Sequence, residues 1–69
     1  MTTIDARGLA CPEPVVRTQK AVLAQPEGVK VMVDNMASVE NISRFAKARH
    51  YRVDVAQDGT DYTLTLTKE

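Results

Sequence analysis

Val29, Val31 and Val33 alternate with Lys30, Met32 and Asp34, the period-two pattern of a half-buried strand whose valines face a helical layer. The same alternation recurs in Tyr51, Val53 and Val55, and again in Tyr62, Leu64 and Leu66 with Thr63, Thr65 and Thr67 between them. Asp58-Gly59 places a turn between these two runs, which predicts a terminal hairpin. Helical spacing organises Val39, Ile42, Phe45 and Ala46 and predicts a helix over 37–49, with Asn35 and Ser38 as competing caps. An earlier helix over 12–24 carries its apolar stripe on Val15, Val16, Val22 and Leu23. Its middle rung offers Thr18 or Gln19, so the amphipathic pattern there is moderate. Gln25-Pro26-Glu27-Gly28 stops that helix. Thr2 to Ala6 reads as a short strand with Ile4 and Ala6 on one face, ended by Arg7 and Gly8.

The order strand, helix, strand, helix, strand, strand, with one apolar face per strand, predicts an α+β fold. It is a two-layer α/β sandwich, βαβαββ, with a four-stranded mixed sheet and two helices on one face. A strand-helix-strand unit normally sets its strands parallel, so the carboxyl ends of the first two strands share an edge and bring Cys11 and Asp34 into one neighbourhood. Residues 1–69 read as a single domain without repeat, low-complexity tract or linker. Met32 and the threonines of the last strand face away from the helices and leave a largely polar open sheet face. Tyr51, Tyr62 and Phe45 are core candidates by spacing rather than base-stacking platforms.

Composition narrows the function. Sixty-nine residues leave little room for a deep cofactor pocket, so chemistry belongs at the surface. Nine basic and nine acidic residues cancel, which removes the global field that would gather nucleic acid or anionic lipid. Met1 to Arg7 holds no apolar run, hence neither a signal peptide nor a membrane span, and a cytoplasmic location is expected. One cysteine, Cys11, and one histidine, His50, exclude an internal disulfide and an ordinary structural zinc centre. No metal or cofactor is expected. His50 reads as a helix-end residue complementing the dipole.

The informative segment is Cys11-Pro12-Glu13-Pro14. Proline suits a first helical turn because the N–H it lacks has no partner there. With Cys11 as cap and Pro14 at the third helical position, the Glu13 amide is the nearby donor for the sulfur. The helix dipole adds to it, favouring a thiolate or persulfide anion. The Glu13 carboxylate opposes this, with Arg7 and Arg17 as compensators. Gly8 supplies the tight turn before the cysteine. Filler is the usual fate of a free cysteine, but a loop-to-helix junction between prolines is an odd place for it. Asp34 reads first as a strand-end turn residue, second as a site contact. Arg17, Lys20, Arg44, Lys47 and Arg49 read as solvated helix faces, some of which meet an acidic partner. No general base or resolving cysteine accompanies the thiol, so a carrier fits better than a self-sufficient thiol enzyme.

The run Asp5-Ala6-Arg7-Gly8-Leu9-Ala10-Cys11-Pro12-Glu13-Pro14-Val15, with Val33-Asp34-Asn35 before the second helix, resembles the TusA/SirA/YedF group of small sulfur-carrier proteins. The resemblance covers essentially the whole chain and is closest to the amino-terminal domain of YedF-type proteins. It implies a sheet of four mixed strands under two helices, similar to the carboxyl-terminal domain of translation initiation factor three. It also implies that Cys11 accepts sulfur as a persulfide from a cysteine desulfurase and passes it to a downstream acceptor protein. The sulfur would serve tRNA thiolation, cofactor assembly or sulfur metabolism. No second domain of the sulfur-reductase type follows Glu69, which weighs against the alternative of selenium delivery. A further alternative is a non-catalytic regulatory or RNA-associated module, suggested by the ribosome-binding fold alone.

Overall fold

The computed structural model of the chain describes residues 1–10 and 12–69; Cys11 lies outside the described residues. The elements are β1 (Thr3–Asp5), α1 (Glu13–Ala24), β2 (Gly28–Val33), α2 (Met36–Ala48), β3 (Tyr51–Asp58) and β4 (Asp61–Lys68). The sheet runs β1-β2-β4-β3. β1 is parallel to β2, with Ile4 beside Val31, whereas β4 is antiparallel to both β2 and β3. This is the mixed βαβαββ sandwich that the hydrophobic pattern predicts.

The core forms where the alternating strand residues meet the helical stripe. Val29, Val31, Val33, Leu64 and Leu66 are fully buried, and Ile42 and Ala46 of α2 close over them. Burial of this many aliphatic side chains supplies the main stabilisation, each contributing roughly 1.5–3 kcal/mol. Tyr51 is buried and Tyr62 and Phe45 pack on the core, and the Tyr51 hydroxyl donates to the Pro26 carbonyl. That bond ties the start of β3 to the turn after α1.

One open position of α1 is settled, and two details differ from the pattern-based expectation. The middle rung of α1 is Thr18, fully buried, with its hydroxyl donating to the Pro14 carbonyl at 2.8 Å. The bond back one turn removes the desolvation penalty that argues against a polar core residue. Leu23 is 78% exposed, because the buried line of α1 runs through Pro14, Thr18 and Val22 and turns Leu23 away. Val55, on the apolar face of β3, is 48% exposed, because β3 is an outer strand.

The ends of α2 follow from local chemistry. Asn35 is its cap: the Oδ1 accepts the Ser38 N–H at 2.8 Å, so Ser38 sits inside the first turn. His50 follows the helix with φ +63 and its N–H donates to the Lys47 carbonyl at 3.1 Å, the left-handed step that often ends a helix.

Candidate functional site

The loop between β1 and α1 is held at both ends. Where β1 ends, the Ala6 N–H donates to the Met32 carbonyl at 2.8 Å. Arg7 then clamps the turn: its Nε and Nη2 reach the two Asp5 carboxylate oxygens at 2.9 Å each. Its Nη1 reaches Asp61 Oδ2 at 3.0 Å. The fork geometry of guanidinium suits this bidentate arrangement. Arg7 is therefore committed to Asp5 and Asp61, at the start of β4, and does not serve as the compensator of Glu13 that the sequence suggests.

Gly8, at φ +76, turns its N–H toward Asp34, donating to Oδ2 at 2.8 Å. Asp34 lies just after β2, and its Oδ1 accepts from Asn35 Nδ2 at 3.1 Å. Parallel pairing of β1 with β2 brings these two loops to one sheet edge, where Gly8 and Asp34 meet; the neighbour that the topology predicts for Asp34, Cys11, lies outside the described residues. The carboxylate of Asp34 works here as a strap across the loops.

At the helix side of the loop, Pro12 caps α1 and Glu13 is its first residue. The Glu13 N–H donates to the Ala10 carbonyl at 2.9 Å. The amide expected to face the sulfur is thus used within the loop, because the helix begins one residue later than the proline pattern implies. Pro14, buried and second in the helix, has no N–H to offer. Arg17 lies 3.5 Å from Glu13, with both side chains more than half exposed, so this compensating pair forms as expected and contributes little to stability.

Beside Pro12, an open apolar groove of about 440 Å³ runs between α1 and α2, lined by Val15, Asn41, Arg44, Phe45 and Ala48. Arg49 lies over the Phe45 ring, 5.1 Å from its centre. Sequence reasoning missed Asp5 and Asp61 as partners of Arg7. The Asp5-x-Arg7 spacing carries a signal for the first, but nothing local points to a residue 54 positions downstream.

The clamp has an electrostatic signature. Hydrogen bonds from the Arg7 side chain, then from its backbone N–H, lower the Asp5 carboxyl from 3.8 to about 2, and the guanidinium is raised in return. A carboxylate depressed in the folded state contributes stability that is complete above its unfolded value and lost as pH falls through its folded one. The clamp should therefore hold at neutral pH and loosen between about pH 4 and pH 2. An NMR titration of the Asp5 carboxyl carbon should show a midpoint near 2; a midpoint at the ordinary aspartate value would mean that the clamp is not populated in solution.

Fold and loop together define a small βαβαββ sandwich that presents a short, pinned helix entrance instead of an enclosed cleft. The family described as Sulfurtransferase TusA matches residues 2–68, and the chain belongs to that family. A candidate sulfur carrier protein of Methanocaldococcus jannaschii is 38% identical over 60 residues, covering 84% of this chain and 80% of the relative. The crystal structure of a SirA-like protein from Desulfitobacterium hafniense superposes with a TM-score of 0.90 and 35% identity over the full length of both chains. The chain is accordingly a TusA-like sulfur carrier. No helix among the described residues is long and apolar enough to cross a membrane.

Proposed function

We propose that Cys11 carries the sulfur, as a persulfide received from a cysteine desulfurase and relayed to an acceptor protein in the cytoplasm. The supporting observation is that the chain's one cysteine, Cys11, stands in the sequence directly before Pro12-Glu13-Pro14, a few residues after Arg7 and Gly8, which are held to Asp5, Asp61 and Asp34. A carrier needs a nucleophilic sulfur on a rigid mount, with the electrophile supplied by a partner.

The step balances without an external oxidant. The Cys11 thiolate attacks the terminal sulfur of the donor's persulfide, a new S–S bond forms, the old one breaks, and the donor cysteine leaves as a thiolate. The second transfer repeats this with the acceptor as nucleophile. The positive end of the helix dipole is a stabiliser for the anion. Glu13 and Arg17 largely cancel.

Incubation with a cysteine desulfurase and cysteine should add one sulfur atom to the Cys11 peptide, removable by a thiol reductant. Intact and peptide mass spectrometry read the adduct. If no competent desulfurase produces it, the relay reading fails; an adduct of selenium mass formed preferentially from selenocysteine would reassign the cargo.

A further inference from the structure

β3 is an outer strand with β4 as its sole neighbour among the described residues. The Glu69 N–H donates to the His50 carbonyl, and the paired register continues with Arg52 beside Thr67 and Asp54 beside Thr65. Hydrogen bonding alternates along an antiparallel ladder. Arg52 and Asp54 therefore direct their backbone groups to β4, while Tyr51, Val53 and Val55 direct theirs outward from the sheet. The same alternation puts Tyr51, Val53 and Val55 on the helix-covered face and Arg52 and Asp54 on the open one.

We propose that this edge pairs with β3 of a second copy of the chain, antiparallel and centred on Val53. In that register Val53 faces Val53 of the other copy, and Tyr51 faces Val55, which joins the outward backbone groups of both strands in six hydrogen bonds. Arg52 then lies opposite Asp54 of the other copy, and Asp54 opposite its Arg52. Both positions are of the non-hydrogen-bonded kind, where side chains approach most closely.

Centred so, both Arg52 and Asp54 meet an opposite charge, whereas centring on Val55 sets Arg52 against Asp58 and leaves Asp54 opposite the uncharged Ala56. Shifting the centre to Arg52 or to Asp54 sets like charges against each other. Charged residues commonly keep a sheet edge from pairing; here their alternating sign selects one register instead. Arg52 and Asp54 now pair along their own strand at 3.4 Å, with side chains 71% and 58% exposed, so both are available. Val55, 48% exposed, gains cover from Tyr51 of the other copy.

The inference stands apart from the persulfide reading. β1 lies at the opposite edge, so the dimer would carry its two Arg7–Ala10 loops at the far ends of an eight-stranded sheet, both open to partners.

Pairing over five residues is a small interface, so self-association is expected at concentrations up to about 1 mM. Sedimentation equilibrium should show the mass rising toward two chains. Arg52→Asp alone and Asp54→Arg alone should each weaken the dimer by about tenfold or more. An equimolar mixture of these two variants should form a heterodimer, and the double swap should dimerise like the parent. Circular dichroism would show that all variants keep the fold, since both side chains are solvent-exposed. A chain monomeric at the highest concentration overturns the proposal. So does a dimer indifferent to Asp54, which would place the contact in another register or on another surface, or a mixture that stays monomeric.

Discussion

Gly28→Ala is expected to remove about half or more of the stability of the fold. Gly28 begins β2 at φ +147, and a Cβ there would stand 2.4 Å from the Leu66 carbonyl oxygen. That oxygen belongs to the β4 backbone, which is held to β2 by the pairing of Val29 with Leu66 and cannot swing aside as a side chain would. A strained backbone region costs about 1–3 kcal/mol, and overpacking adds about as much again. The folded state of a domain of this length lies only about 3–10 kcal/mol below its unfolded state. Urea unfolding followed by circular dichroism should show the midpoint falling by about half or more. An unchanged midpoint would mean that β2 and β4 are not held in this register. Gly8→Ala is the internal comparison: φ is again positive, at +76, but among the described residues nothing beyond its chain neighbours lies within 4 Å of the added carbon. That cost is limited to the backbone, about 1 kcal/mol.

The contrast between these glycines marks what a sequence reveals about this fold. Gly28 reads as part of a helix stop, and nothing near it discloses that β4, some forty residues downstream, will press against its Cα. The order of elements along the chain and the face that the helices cover are legible because they depend on period alone. The valines of β2 and the Thr-Leu alternation of β4 leave one apolar face each, and two helices with apolar stripes can cover only that face. Of the two residues that the sequence offers for the middle rung of α1, Thr18 takes the place, whereas Leu23 falls off the stripe: the buried line passes through 14, 18 and 22, and a threonine bonded to its own helix fits it where a leucine one step further does not. Val55 obeys the period and is still half in water, since period fixes the face of a strand but not whether anything lies over it.

At the candidate site, residue identity was more informative than partner choice. The parallel crossover predicts Cys11 beside Asp34; Cys11 lies outside the described residues, and among these Asp34 accepts from the Gly8 N–H at 2.8 Å. Arg7 drew attention as a cation near a thiol, but a guanidinium two residues after an aspartate finds that carboxylate first, and Asp61 arrives only once β4 has paired. The role foreseen for the Glu13 amide failed for a similar reason. A turn closed by the Ala10 carbonyl competes for the same N–H, and a local hydrogen bond wins over a ligand contact that forms only when sulfur is present.

Replacing Cys11 with serine should abolish sulfur loading and delivery altogether, because an alcohol at neutral pH is neither a sufficient nucleophile toward sulfur nor able to hold a persulfide. The substitution changes one atom, so unfolding midpoints should stay close to the parent; a variant that still accepts sulfur would remove Cys11 from the mechanism. Asp34→Ala isolates the mount from the nucleophile. It strips the acceptor from the Gly8 N–H, an exposed bond worth about 1 kcal/mol, and should slow sulfur transfer a few-fold without preventing the adduct. The amide oxygen of Asp34→Asn can still accept from Gly8, so that variant should recover most of the parent rate. If the asparagine variant is as slow as the alanine one, the negative charge of Asp34 matters more than the strap it forms. If both match the parent, the loop holds its shape through the Arg7 clamp alone.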